Sequence, residues 1–198
     1  MADRQPFRLD GRVVLITGAG SEHGIGREIA RVFVRAGARV ALADVDGAGA
    51  RRNAAELGAS AIGLLMDVTD PASIAGAVAE AQQQLGPIDI LVSNAGISRS
   101  TALLDVSLEE FDQVMGINVR GGFICMKAVL PDMRARGWGR VIWLSSIAGK
   151  QGGGIFGAAH YACSKAALIG LCQGAARELG PYGITSNAIA PGMIDTDI

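Results

Sequence analysis

The 198-residue sequence predicts an α/β domain built on a doubly wound parallel sheet flanked by helices. Three observations carry this. Short Val/Ile/Leu-rich runs alternate with longer helical patterns along the whole chain, which is the order a right-handed βαβ repeat leaves in a sequence. The runs show little polar alternation, as strands covered on both faces do. Glycine, at 28 residues, is about twice its ordinary share of ~7%, yet without collagen-like period and with only 6 Pro, so it marks turns and helix ends and not low complexity.

The elements follow in order. Strands are predicted at 12–17, 39–44, 61–66, 88–92, 140–145 and 184–190. Helices are predicted at 24–36, 47–57, 71–85, 107–136 and 158–179, the fourth with a break near Gly121 and Gly122 or made of more than one helix. Gly37, Gly58, Gly86, Gly137 and Gly183 each follow a helical stretch and precede a strand, the place where a left-handed residue ends a helix. No linker, internal repeat or charge block divides the chain, so residues 1–198 read as one domain.

Composition narrows the function classes. Hydrophobic residues make up 49% and charged ones 19%, which argues against disorder. A net charge of −1 gives no basic surface for phosphates, and nucleic acid is not expected as a partner. Cys125, Cys163 and Cys172 fit neither a disulfide framework nor a zinc site, and no metal is expected. With no signal peptide evident and no apolar run near the ~20 residues of a span, a soluble cytoplasmic protein without membrane association is expected. Mean hydropathy of +0.32 fits two-face burial of a sheet or a subunit interface.

The first strand runs into Thr17-Gly18-Ala19-Gly20-Ser21-Glu22-His23-Gly24-Ile25-Gly26, and a helix follows. Glycines at a strand-to-helix turn let the backbone approach a pyrophosphate, which then lies on the positive helix end. Asp44 ends the next strand, where a carboxylate accepts from both ribose hydroxyls and repels a 2′-phosphate. The pair points to a dinucleotide site with NAD(H) preferred. NADP(H) stays open, because a nearby Arg can accommodate the phosphate. The plainer reading is a structural turn followed by a solvated Asp.

Tyr161-Ala162-Cys163-Ser164-Lys165 sets a phenol and an ammonium four residues apart, on one helix face. A neighbouring positive charge favours phenolate, so such a Tyr can exchange a proton with a carbonyl or alcohol oxygen. Alone, Tyr-x-x-x-Lys is more often a surface pair.

Together with Asp67-Val68, Asn94-Ala95-Gly96, Asn118, Ser145-Ser146 and Pro191-Gly192-Met193-Ile194-Asp195-Thr196, these motifs resemble the short-chain dehydrogenases/reductases of the Tyr-x-x-x-Lys type, from Leu9 to Thr196. Within that family the pattern is similar to 3-oxoacyl-carrier-protein reductases and polyol dehydrogenases. The resemblance implies a Rossmann-like fold and an oxidoreductase that interconverts a secondary alcohol and a ketone, with a small-molecule carbonyl or alcohol as substrate. It implies Tyr161 as general acid/base, Lys165 on the Tyr and the nicotinamide ribose, Ser146 on the substrate oxygen, and Asn118 in a water relay. It implies Gly18, Gly20, Gly24, Ile25, Gly26, Asp44, Asp67, Val68, Asn94, Ala95, Gly96, Pro191, Gly192, Ile194 and Thr196, with Tyr161 and Lys165, around the cofactor. It also implies a homo-oligomer, a tetramer or dimer, through helices 107–136 and 158–179.

Plainer roles stand beside these. Asn118 fits a cap or kink in a long helix, Asp67 an N-cap, Asn94 a turn residue and Ser146 a strand end. Cys163 is expected to pack away from the Tyr–Lys stripe, and His23 and His160 to make loop contacts. A non-catalytic nucleotide-binding scaffold is the competing function, and a sugar or polyol dehydrogenase the competing substrate class to 3-oxoacyl thioesters.

The chain departs from the family pattern in three places. Five residues separate Gly18 from Gly24, two more than usual, which lengthens the loop without moving the helix start. The stretch 149–157 is also about two residues longer and is expected to form a flexible pocket wall, with Ile155 and Phe156 as its apolar part. The sequence stops just past the Pro-Gly motif, so a seventh strand and the C-terminal substrate-covering segment are expected to be absent from it.

Overall fold

A computed structural model describes residues 7–153 and 158–197. In order these form β1 (Val13–Thr17), α1 (Ile25–Arg35), β2 (Arg39–Asp44), α2 (Gly47–Leu57), β3 (Ala61–Leu65), α3 (Pro71–Leu85) and β4 (Ile90–Ser93). They continue with α4 (Leu108–Met115), a π-helical turn (Gly116–Gly121), α5 (Gly122–Ala135), β5 (Gly139–Leu144), α6 (Ala148–Gln151), α7 (Ala159–Leu179) and β6 (Ile184–Ile189). The strands form one parallel sheet ordered β3-β2-β1-β4-β5-β6. The doubly wound class holds, and most element bounds lie within a residue or two of those read from the sequence.

The strand order reverses between β1 and β4, and there the carboxyl ends of neighbouring strands diverge into a crevice. Successive residues of each central strand serve opposite cores, as period-two geometry requires. Val14, Ile16, Val40, Leu42, Ile90 and Val92 pack with Ala30 of α1 and Ala50 and Ala54 of α2. Val13, Leu15, Ala41, Leu91, Val141 and Trp143 pack with residues of α3, α5 and α7. Asp70 caps α3 by accepting from Ala72 N–H at 2.9 Å, with Pro71 at the first helical position. Gly37, Gly58, Gly86, Gly137 and Gly183 all have positive φ, as helix-ending glycines do.

Two expectations need correction. The fourth helical run is, as one of its two readings had it, more than one helix: a π turn joins α4 to α5, and the junction falls at Gly121 and Gly122. They are small because neighbours press close: a Cβ at Gly121 would lie 2.9 Å from the Val68 side chain, and one at Gly122 would lie 2.5 Å from Ser93 Oγ. Two-face burial fails at β6, where Ile184 and Ser186 turn inward while Thr185, Asn187 and Ile189 are exposed. Finally, the helical run Leu108–Ala135 is long and apolar enough to cross a membrane by length and composition. Its residues Val114, Cys125, Met126, Val129 and Met133 are nevertheless buried in this chain's own core.

Candidate active site

The crevice opens into a cavity of about 650 Å³ at the carboxyl ends of β1, β4 and β5. The glycine-rich turn forms one wall. Gly18 needs its left-handed backbone (φ +68°), and a Cβ there would meet Ala95 Cα at 2.6 Å. The same construction spares no room at Gly26, whose Cβ would lie 2.6 Å from Gly18 O. Only side-chain-free residues let loop, β4 end and α1 converge so closely. Gly24 caps α1 without a side-chain hydrogen bond, and Gly24 and Ile25 line the cavity, so the helix presents its positive end there.

Side chains from neighbouring elements hold this turn. Thr17 Oγ1 accepts from Asn94 N–H (3.0 Å) and Ala95 N–H (2.9 Å). Asn94 Nδ2 donates in return to Thr17 O (2.9 Å) and Gly18 O (2.8 Å). Asn53, buried in α2, donates to Ala19 O and Ser21 O. The Asp44 carboxylate accepts from Gly20 N–H (2.8 Å) and Asp46 N–H (2.9 Å), which fixes it at the cavity edge. The lengthened loop leaves the start of α1 at Ile25 and meets the segment after Pro191. Asp197 accepts from Ser21 Oγ–H and His23 N–H, and its own N–H donates to His23 O. Those donors hold the Asp197 carboxyl below its usual pKa.

The opposite wall carries the titratable groups. Lys165 reaches from α7 to donate to Leu144 O at 2.9 Å, and its Nζ stands 5.8 Å from the Tyr161 ring centroid. Burial pushes the Lys165 ammonium down to about 8. A Cβ at Gly96 would lie 3.2 Å from that Nζ and 3.1 Å from Asn118 Oδ1, so this glycine leaves the space the two side chains occupy. Ser145 Oγ–H donates to Lys165 O at 2.7 Å, which pins the end of β5 to α7. Ser146 Oγ accepts from Ala148 N–H at 3.1 Å, and its proton has no acceptor among the described residues. The two adjacent serines both line the cavity but differ: the Ser145 hydroxyl proton is spent on the fold, and that of Ser146 is left to spare.

The cavity brings together Gly18, Gly24, Ile25, Asp44, Asn94, Ala95, Gly96, Ser146, Tyr161, Lys165, Pro191, Gly192, Ile194 and Thr196. Gly20 and Gly26 lie behind its wall, where their size matters. Asp67, Val68 and Asn118 do not line it. Asp67 accepts from Thr69 N–H and Oγ–H in a local turn, and Val68 is core. The N-cap considered for Asp67 belongs to Asp70. Asn118 is buried and fully engaged: Nδ2 donates to Ile97 O and Ser164 Oγ, and Oδ1 accepts from Ile97 N–H.

Gln151, within the expected pocket wall, lines the cavity, and Ile97, Ser98, Met193 and Asp197 line it without having been expected as site residues. Nothing but position marks them. Asn53 was readable, as a polar residue on the Gly/Ala face of α2. Residues 149–151 of the expected flexible wall are helical, and Ile155 and Phe156 lie outside the described residues. Cys163 is exposed and does not pack. His160, expected in a loop contact, is buried in α7 beside Glu110 of α4.

A parallel sheet with a glycine-lined helix end at its switch point, and a Tyr and Lys on one helix face across the cavity, define a dehydrogenase of the short-chain type. Residues 12–198 match the family model for short chain dehydrogenase, and the chain belongs to that family of oxidoreductases. It is 45% identical over 190 residues to sorbitol dehydrogenase of Cereibacter sphaeroides, covering 96% of this chain and 73% of that protein. It is 40% identical over 192 residues to the 3-oxoacyl-[acyl-carrier-protein] reductase of Escherichia coli K12, covering 97% of this chain and 77% of that one. The fold matches a crystal structure of a 3-ketoacyl-(acyl-carrier-protein) reductase from Brucella melitensis complexed with NADH. That match has a TM-score of 0.86 and 34% identity, over 92% of this chain and 76% of the other.

Proposed function

We propose that this protein interconverts a secondary alcohol and a ketone with NAD(H), using Tyr161 to move the proton. The observation that carries the reading is the shared cavity: Asp44 and the glycine turn on one wall, Ser146, Tyr161 and Lys165 on the other. The residues fit a nicotinamide dinucleotide. Gly18, Gly24 and the start of α1 would hold its pyrophosphate, Asp44 the adenosine ribose, Lys165 the nicotinamide ribose, and Ile194 and Thr196 the carboxamide end. When bound, that group supplies or accepts the hydride.

The chain's own work is orientation and proton transfer. Tyr161 lines the cavity, and its hydroxyl makes no hydrogen bond among the described residues, so the phenol is free to exchange a proton with the substrate oxygen. Ser146 donates to the same oxygen and stabilises charge as it develops. Lys165, charged below about pH 8, favours the phenolate side of that exchange. Asn118 acts at one remove, by tying Ile97 of the loop after β4 to Ser164 of the Tyr–Lys helix.

Two substrate classes are supported by the relatives, which include both a sorbitol dehydrogenase and 3-oxoacyl-[acyl-carrier-protein] reductases. Exposed Ile147, Met193 and Ile194 give the cavity an apolar rim, which favours the acyl thioester over a polyol. Oligomerisation fits the hollow formed by Met115, Val119, Phe123 and Leu171 between the helices, and light scattering tests it; a clean monomer rejects it. Three free thiols suit a reducing, cytoplasmic setting.

The test is a coupled assay of full-length protein with NADH and NADPH in parallel, against 3-oxoacyl thioesters, keto sugars and cyclic ketones. Turnover with NADH is expected, and Asp44→Asn is expected to lower NADH affinity about tenfold while improving NADPH. NADH binding without turnover of any compound favours the scaffold. Failure to bind either nucleotide rejects both readings.

A further inference from the structure

His160 directly precedes Tyr161 and is 3% exposed. Its Nε2 lies 3.0 Å from Glu110 Oε1, and neither ring nitrogen completes a hydrogen bond of good geometry among the described residues. A buried imidazole against a carboxylate is costly unless it is held for a purpose. Glu110 is itself held from the other side, where Thr101 Oγ–H donates to Oε2 at 3.1 Å.

The placement of this pair is regular. Glu110, Val114 and Asn118 succeed one another at four-residue spacing along α4 and the π turn, and His160 and Ser164 at the same spacing along α7. The two helices meet through two polar rungs, Glu110–His160 and Asn118–Ser164, the latter at 2.9 Å, with fully buried Val114 between. Tyr161 lies between the rungs in sequence, and its carbonyl accepts from Ser164 Oγ–H at 2.7 Å. The loop after β4 is tied to the same frame: Ile97 to Asn118, Thr101 to Glu110, and Arg99 O to Ala158 N–H at 3.0 Å.

We infer that His160, through its pair with Glu110, is a positioning residue for the reaction. It fixes the first turn of α7 against α4 and the 97–101 loop, and so sets where the Tyr161 hydroxyl stands relative to Ser146 and the substrate. Without that pair, the turn is left to the second rung and to the Ala158 N–H bond with Arg99 O. This rests on the proposed role of Tyr161. A displacement of an ångström at the reacting oxygen is enough to cost up to about 100-fold in rate.

The chain has two tyrosines, Tyr161 and Tyr182, so ¹³C-ζ-tyrosine NMR of the full-length protein reads Tyr161 directly, with Tyr161→Phe assigning the signals. His160→Phe keeps a ring and removes the pair; His160→Gln returns an N–H towards Glu110; Glu110→Gln weakens the pair from the other side. His160→Phe is expected to shift or broaden the Tyr161 signal and leave Tyr182 unmoved, with His160→Gln restoring it. Turnover of acetoacetyl-coenzyme A or sorbitol should fall about tenfold or more in His160→Phe, at an NADH affinity within about twofold of wild type. The double variant His160→Phe/Glu110→Gln should be no worse than either single change. An unmoved Tyr161 signal in His160→Phe overturns the inference, as does additivity in the double variant. If His160→Phe does not fold, Glu110→Gln decides by the same signal. Wild-type turnover by Tyr161→Phe sinks the parent reading instead, whatever the NMR shows.

Discussion

Lys165→Met should make the cofactor-free protein more stable and the enzyme inactive. The Lys165 ammonium is buried, and burial lowers its pKa from 10.5 to about 8. At about 1.4 kcal/mol per tenfold change, holding the charged form in the fold costs about 3 kcal/mol at neutral pH. Methionine matches the stem without the charge, but it leaves Leu144 O without the Nζ donor seen at 2.9 Å, a loss of about 1–2 kcal/mol. The difference leaves a gain of about 1–2 kcal/mol, or roughly 3–6 °C in Tm for a chain of this size.

The sign with pH is fixed by the same shift. Below about pH 8 folded and unfolded chains both carry the charge, and its cost is fully present. Between about 8 and 10.5 the unfolded chain binds more protons than the folded one, so wild-type stability rises with pH and the advantage of methionine shrinks. Urea denaturation of both proteins at about pH 7 and about pH 10 measures this. A Lys165→Met protein less stable than wild type at neutral pH, or a gap that ignores pH, would refute the burial argument.

The other predictions concern particular neighbours. Ser145→Ala should cost about 1 kcal/mol of stability, because its hydroxyl is bonded to Lys165 O at 2.7 Å, and denaturant melts will show it. Ser146→Ala gives up the bond from Ala148 N–H and should likewise cost about 1 kcal/mol, but it should also lower kcat about 100-fold or more, and steady-state kinetics separates the two serines. Gly18→Ala forces a Cβ to 2.6 Å from Ala95 Cα at φ +68°. It should cost about 2 kcal/mol or more and weaken NADH binding at least tenfold, read by melting and fluorescence titration. Unchanged binding in Gly18→Ala would mean that this turn does not hold the pyrophosphate.

The sheet and the glycine turn were legible because local chemistry dictates them. Apolar runs make strands, glycines end helices, and a strand-turn-helix around Gly18 and Gly24 has few alternatives. The site was legible less evenly. Tyr161 and Lys165 share a face by spacing alone, but nothing local tells Ser145 from Ser146; only the contact with Lys165 O separates them. Asn118 and Asp67 show the limit more clearly. Each matches a motif, yet long-range packing ties Asn118 to Ile97 and Ser164, while a local turn with Thr69 engages Asp67. Gly121 and Gly122 mark the helix junction in sequence, but their role as spacers was not legible there, since their neighbours Val68, Ser93 and Trp143 lie far away along the chain. His160 was misread for the same reason, because its partner Glu110 sits on another helix.

The claim that Tyr161 moves the proton is tested most directly by comparing wild type with Tyr161→Phe in single-turnover absorbance at the NADH band, with acetoacetyl-coenzyme A or sorbitol. The account predicts that the phenylalanine protein binds NADH as tightly as wild type while its hydride-transfer rate falls about 100-fold or more. A variant that turns over at the wild-type rate would contradict it.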